Sequence, residues 1–251
     1  MYSIAMYLME FGAFIGAIFS KKLRQQVKGQ AKTFYILHKY IKKDDRVVWV
    51  HAASLGEFEQ GRLLMELIRR RHPEFKILLT FFSPSGYEVR KDYEGADVIC
   101  YLPFDTPGNA ASFLRLAHPD VGIFIKYEFW ANYLLMARHK KIPMYSVSSI
   151  FRPSQHFFRW YGNKAPLRCF THFFVQNEES KQLLAGIGQS LEGVLRGVEE
   201  ASFHLGDGHL ADGSVSHPAD EVVHGKVHQA SGKPYSFGLY LWHNDVFRLQ
   251  K

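Results

Sequence analysis

The chain has 251 residues, a formal net charge of +7 and a sequence pI near 9.3. Its 47% hydrophobic and 22% charged residues exclude an intrinsically disordered chain, and the length allows one large domain or two small ones. Two cysteines, Cys100 and Cys169, exclude a disulfide scaffold and a multi-cysteine zinc site, and they fit a reducing compartment.

Residues 1–20 are apolar apart from Ser3, Glu10 and Ser20. About 20 apolar residues are enough to cross a bilayer core. Lys21, Lys22, Arg24, Lys28 and Lys32 follow. No basic segment precedes the run and no small-residue cleavage motif closes it, which argues against a cleaved signal peptide. Basic residues after the run place the following domain on the cytoplasmic side. Glu10 disfavours a simple lipid-exposed span, so an in-plane anchor competes with a spanning one. An ordinary buried helix is the plainer alternative.

From residue 45 onward short apolar runs alternate with helical patterns. Strands are expected at 46–51, 76–82, 97–102, 121–126, 142–147 and 171–176. Helices are expected at 57–71, from Pro84, at 106–117, 129–140 and 178–185. Continuously apolar strands separated by helices predict a parallel sheet covered on both faces, half of a doubly wound α/β architecture. Four regions follow: an apolar anchor helix at 1–20, a basic linker or helix at 21–44, a Rossmann-like domain at 45–188 and an irregular tail at 189–251.

In such sheets ligands bind beyond the carboxyl ends of the strands. That rule selects the loops holding Ser54, Gly56 and Glu57, then Ser83, Ser85 and Gly86, then Glu128, then Arg152. Glu57 stands where a loop becomes a helix. It has the position of a general base for a hydroxyl, favoured as an anion by the helix N-terminus, or of an acid placed only for helix stability. Glu128 precedes Phe129 and Trp130. An acid among bulky rings either orients a substrate or a loop, or is a solvated first-turn acid. Ser83, Pro84, Ser85 and Gly86 open a helix and read as an anion cradle or as a plain N-cap with proline behind it.

Arg152, Arg159, Lys164 and Arg168 are interleaved with Phe151, Phe157, Phe158, Trp160 and Tyr161. That mixture suits single-stranded nucleic acid, a membrane interface or a solvated basic helix with a packed aromatic face. The apolar N-terminus favours the membrane. Of the 31 Lys and Arg and 24 Asp and Glu, 5 and 8 lie from Gln189 onward, so the preceding body carries 26 against 16. A body that basic points to an anionic partner. Six of the 13 histidines also lie after Gln189, without the spacing of a metal site, and no metal is expected. P-loop, dinucleotide and nucleophile-elbow motifs are missing from the sequence.

Six motifs taken in order, HAASLGE (51–57), LLTFFSPSGYE (78–88), YLPFDTP (101–107), KYEFW (126–130), SSIFRPSQ (148–155) and FFVQNEES (173–180), resemble the acceptor-side half of the 3-deoxy-D-manno-octulosonic acid (Kdo) transferases. The resemblance implies a GT-B glycosyltransferase with its active site between two Rossmann-like domains. It implies metal-independent, inverting transfer of Kdo from the donor CMP-Kdo to a lipid A precursor, at the cytoplasmic face of the inner membrane of a Gram-negative bacterium. No cofactor and no nucleic acid are implied. Glu57 matches the general base, Glu128 a second acid, and Ser54, Gly56, Ser83, Ser85, Gly86 and Arg152 fall on the acceptor side. The pattern is expected to stop after Gly188. Residues 189–251 then read as a foreign or frameshifted, largely disordered tail, or as an accessory segment that pairs with a separate donor-binding chain. The donor domain being missing, the 251 residues alone are expected to transfer Kdo weakly or not at all. A non-catalytic remnant that binds membrane and lipid A is the alternative.

Overall fold

The computed structural model describes residues 1–126, 128–160 and 162–188, and the strands Val194–Arg196, Val223–His228 and Pro234–Leu239. Two helices come first, α1 (Tyr2–Phe19) and α2 (Lys21–Tyr40), broken at Ser20, whose hydroxyl accepts from the Leu23 N–H and caps α2. The alternating unit follows: β1 (Arg46–His51), α3 (Leu55–Arg71), β2 (Phe75–Phe81), α4 (Pro84–Arg90), β3 (Val98–Tyr101), α5 (Pro107–Ala117) and β4 (Val121–Ile125). It continues with α6 (Ala131–His139), β5 (Met144–Ser149), β6 (His172–Val175), α7 (Glu178–Ala185) and β7 (Val194–Arg196). The seven strands form one parallel sheet in the order β3-β2-β1-β4-β5-β6-β7.

Strand β1 shows why the strand sequences are unbroken apolar runs. Val47 and Trp49 enter one core layer, with Phe113, Phe124 and Tyr133. Val48 and Val50 enter the opposite layer, with Phe58, Leu64 and Met65 of α3. Successive side chains alternate between faces, and helices cover both, so every position from Val47 to His51 is buried. Trp49 is the keystone of the first layer, its ring centroid 4.9 Å from Phe113 and 5.0 Å from Phe124.

One domain expectation is resolved and another changes. Of the linker and helix readings of 21–44 the helix holds: α2 buries Gln26, Gln30, Thr33 and Leu37, a helical stripe. Gln30 Nε2 donates to the Leu102 carbonyl at 2.8 Å and Thr33 Oγ1 to the Tyr101 carbonyl at 2.7 Å, so the helix is stitched to the end of β3. The close approach requires Gly29, where a Cβ would sit 2.2 Å from the Tyr101 ring. The sheet also runs past Gly188, because Val194–Arg196 pairs in parallel with β6. The region read as an irregular tail further contains β8 (Val223–His228) and β9 (Pro234–Leu239), an antiparallel pair. The rest of that region lies outside the described residues, and with it the expectation of disorder.

Helix α1 is long and apolar enough to cross a membrane by length and composition. Only Ala13 of its residues is buried, and Ile4, Leu8, Phe11, Ile15 and Ile18 are exposed. Its polar residues point the other way. Tyr2 donates to Asp105 Oδ2 at 2.7 Å, Ser3 to Asn132 Oδ1 at 3.1 Å, and Glu10 Oε1 accepts from Asn109 Nδ2 at 3.1 Å. The helix thus turns its few polar groups toward the domain and an apolar surface outward.

Candidate active site

The strand order locates the site before any side chain is considered. From β1 the chain steps to β2 and β3 on one side, then returns to β4 on the other side of β1. The loops leaving the carboxyl ends of β1 and β4 therefore diverge, and the crevice between them is the topological switch point where open α/β sheets hold ligands. The β1 loop carries Ser54, Gly56 and Glu57, and the β4 loop carries Glu128. The two carboxylates picked from sequence are brought to the same crevice.

On the β1 side the geometry is local. Ser54 is the N-cap of α3 and Glu57 its third helical residue, a capping box. The Ser54 N–H and hydroxyl both donate to Glu57 Oε2, at 2.7 and 2.9 Å. The spacing Ser54-Leu55-Gly56-Glu57 carries that signature openly. Gly56 has no atom within 4 Å of where its Cβ would be and no positive φ, so it serves neither packing nor an unusual turn.

The neighbouring β2 loop is tied to this one. The Ser83 N–H donates to the Ala53 carbonyl at 2.8 Å. Ser83 caps α4 by accepting from the Ser85 N–H, with Pro84 in its first turn, and the two hydroxyls lie 3.0 Å apart. Gly86 is a packing glycine, because a Cβ there would meet the Phe81 ring at 2.3 Å and the Ser54 carbonyl carbon at 3.1 Å. The plain N-cap reading describes this loop, and it braces the Ser54–Glu57 turn.

On the β4 side the geometry is built by other strands. Lys126, the residue after β4, lies in the left-handed region, with φ 63°. A non-glycine residue costs about 1–2 kcal/mol there and is held only by its surroundings. Its carbonyl accepts from Ser149 Oγ at 2.6 Å and Ser146 Oγ at 3.1 Å, and its N–H donates to the Val147 carbonyl at 2.7 Å. Strand β5 is itself irregular between Val147 and Ser149, with Ser148 at φ 63°. Gln176 holds that irregularity through Ser148 Oγ at 2.6 Å and the Ser148 carbonyl at 3.1 Å. Buried hydroxyls of β5 thus fix the turn from which Glu128 emerges. Tyr127 lies outside the described residues.

Burial pushes the Glu128 carboxyl up to about 7, the nearby Glu57 charge adds to the rise, and the Trp130 indole partly offsets it. The Trp130 indole N–H also donates to His51 Nε2 at 3.2 Å, which ties the β4 loop back to the end of β1. Since His51 Nε2 accepts, its proton resides on Nδ1, which faces Thr80 Oγ1 at 2.9 Å. Thr80 also accepts from Trp49 Nε1 at 2.8 Å. The chain Trp49, Thr80, His51, Trp130 keeps His51 neutral, and burial lowers its pKa to about 3. It positions the crevice floor and carries no charge itself. His51 and Thr80 were not singled out from sequence. The signal was a polar residue near the carboxyl end of each of two strands that are apolar beyond their first residues.

Arg152 is exposed on the loop after β5, and its backbone N–H donates to Gln155 Oε1. It shares the ligand edge of the sheet, two strands from β1, without a described contact to either carboxylate. The basic and aromatic stretch around it forms two short 3-10 turns, not an amphipathic helix. Phe151 and Phe157 are buried, each against Phe129. They are unavailable for stacking on bases, whereas Trp160 is exposed. Among the described residues no group of three or more His, Cys, Asp or Glu is arranged to hold a metal ion.

These features define a class: a Rossmann-like α/β domain whose switch-point crevice is armed with two carboxylates, one of them pushed toward neutrality. Residues 25–195, more than half of the chain, match the family described as 3-Deoxy-D-manno-octulosonic-acid transferase (kdotransferase). The chain belongs to that family. It is 31% identical over 115 residues to the 3-deoxy-D-manno-octulosonic acid transferase of Aquifex aeolicus, covering 43% of this chain and 32% of that one. Against the Bordetella pertussis protein of the same name it is 34% identical over 113 residues, covering 43% and 26%. The Rickettsia felis protein of that name is 27% identical over 198 residues, covering 70% and 42%. The chain therefore spans less than half the length of these curated relatives. The match extends seven residues beyond Gly188, to the strand at Val194–Arg196.

Proposed function

We propose that this chain is the acceptor-side part of a GT-B Kdo transferase that moves Kdo from CMP-Kdo to a lipid A precursor at the cytoplasmic face of the inner membrane. The observation that carries the reading is the convergence of Glu57 and Glu128 at the β1/β4 switch point in a member of this family. Both hydrogen bonds described for Glu57 fall on Oε2, which leaves Oε1 to take the proton of an acceptor sugar hydroxyl. A base so placed fits attack from the face opposite the departing CMP, with inversion. Glu128, whose carboxyl is partly protonated near neutral pH, donates a hydrogen bond to the acceptor in its protonated form and so avoids setting two full negative charges side by side. No metal step is needed in this scheme. Arg152 and the Ser83–Gly86 loop form the rim that meets acceptor phosphate or sugar.

The outward apolar face of α1 and the basic start of α2 support a membrane-bound acceptor. Because Tyr2, Ser3 and Glu10 bond to the domain, α1 is read as lying in the plane of the interface rather than spanning it. The donor half of the enzyme is assigned to the additional length of the relatives, so transfer by these 251 residues alone is expected to be weak or absent.

The test uses the full chain with vesicles of phosphatidylglycerol, with and without a lipid A precursor. Tighter binding to the precursor-containing vesicles is expected, unchanged in Glu57→Gln. Mass spectrometry of the lipid then follows Kdo addition from CMP-Kdo, with a donor-side domain of a relative added in trans. Equal binding to both vesicles, or an undiminished rate in Glu57→Gln, overturns the reading.

A further inference from the structure

Helix α6 starts badly by itself. Its N-cap is Trp130, whose side chain accepts nothing, so the first amides of the helix need a partner from elsewhere. Asp105, from the loop after β3, supplies it. The Tyr133 N–H donates to Oδ1 at 2.9 Å and the Asn132 N–H to Oδ2 at 3.0 Å. Asn132 Nδ2 donates in return to the Asp105 carbonyl, and the Tyr133 hydroxyl to the Pro103 carbonyl at 3.2 Å. Asp105 is fully buried. A buried carboxylate is tolerable only with such donors, and the helix N-terminus favours its charge.

The remaining donor comes from an unexpected place. The Tyr2 hydroxyl at the start of the apolar helix donates to Asp105 Oδ2 at 2.7 Å, and the Ser3 hydroxyl reaches Asn132 Oδ1 at 3.1 Å. The first turn of α1 is therefore bonded to the residue that caps α6 and to the first turn of α6 itself. Glu128 lies two residues before the α6 N-cap, and Trp130 ties that segment to His51.

We infer that Asp105 is a positioning residue: it holds the Glu128–Trp130 segment by capping α6, and through Tyr2 it couples that segment to the seating of α1 on a lipid surface. When α1 is pressed against the domain by a membrane, the Tyr2 and Ser3 bonds are closed and the segment is rigid. When α1 lifts, Asp105 loses the shortest of its described carboxylate hydrogen bonds and the cap loosens. The acceptor-side carboxylate is thereby set best where the lipid acceptor is. The inference rests on the proposed function only for its effect on rate. The coupling itself is structural.

Hydrogen exchange of the full chain, resolved to single amides, tests it in the variants Tyr2→Phe and Asp105→Asn. In Tyr2→Phe the Asn132 and Tyr133 amides are expected to exchange about tenfold faster, as for loss of a hydrogen bond to a charged group. The Val48 and Val50 amides of β1 should not change. Phosphatidylglycerol vesicles should slow exchange at Asn132 and Tyr133 in the wild type and not in Tyr2→Phe. Asp105→Asn should accelerate the same two amides more than Tyr2→Phe does. Unchanged exchange at α6 in Tyr2→Phe, or equal acceleration in β1 and α6, overturns the coupling. Where Kdo transfer is measured, Tyr2→Phe should lower kcat about tenfold with KM kept. An unchanged kcat overturns the positioning role even if exchange responds. No transfer by the wild type with the donor-side domain added in trans would refute the proposed function and leave the exchange result to decide the coupling.

Discussion

The two carboxylates of the crevice are held in opposite ways, although they are neighbours across one strand boundary. Glu57 sits in a capping box closed within four residues, from Ser54 to Glu57. Glu128 follows a left-handed lysine whose carbonyl is held by Ser146 and Ser149, and its helix is capped by Asp105. The first arrangement is cheap and local, and a solvated helix could form it anywhere. The second assembles residues from β5 and from the loops after β3 and β6, and stores backbone strain. Local order places a group reliably, and tertiary order is required to bury one and shift its proton affinity.

The comparison breaks most directly at Glu57. Glu57→Gln keeps an acceptor for Ser54, so the folded state should lose at most about 1 kcal/mol, while transfer should fall roughly a hundredfold or more. A rate loss no larger than the stability loss would make Glu57 a cap and nothing else.

Glu128→Gln should do the reverse to stability. The carboxyl rises from its usual 4.5 to about 7 on folding, so the folded state binds its proton more tightly than the unfolded chain. That contribution is fully present below about 4.5 and is lost as pH rises through about 7. Glutamine stays neutral throughout. The variant should therefore match the wild type near pH 4.5 and exceed it by about 1–3 kcal/mol at pH 8, in denaturant titrations at the two pH values. The same neutrality predicts that wild-type transfer declines above about pH 7 and that Glu128→Gln loses this alkaline limb. A stability gain that does not depend on pH would place the origin elsewhere.

The two glycines of the crevice sharpen the contrast further. Gly86→Ala should destabilise by about 1–3 kcal/mol, because its Cβ meets the Phe81 ring and the Ser54 backbone. Gly56→Ala meets open space inside a helix and should stabilise by about 0.5–1 kcal/mol. Thermal melts of the pair read both signs. An Ala at 56 that also weakens acceptor binding would assign the open space to the ligand.

The alternation was legible along the chain because both faces of the sheet are covered. Strands such as 46–51 read as unbroken apolar runs, and β1 has the bounds expected of it. Boundaries elsewhere moved by one or two residues where hydrogen bonding and not side-chain character ends the element. Helix α6 begins at Ala131 and not at 129, since Trp130 is its N-cap. Strand β5 runs to Ser149, past the last apolar residue, because its serines bond inward to Lys126. The basic composition of 21–44 concealed a buried stripe, and three of its four buried residues are polar, which no hydrophobic pattern reveals. Strand β7 was missed because three residues without flanking apolar repetition carry little signal.

By itself the sequence determined the α/β class, the family, the apolar first helix and the helix-start position of Glu57, since each depends on residues close together or on ordered motifs. Tertiary structure decided the rest. The strand order put the β1 and β4 loops at one crevice, β5 hydroxyls shaped the turn before Glu128, and Asp105 joined α6 to the first turn of α1. These links connect residues from 20 to more than 100 positions apart. Chain proximity does not encode such contacts. They exist because a buried carbonyl, carboxylate or amide must find a partner wherever the packed sheet brings one.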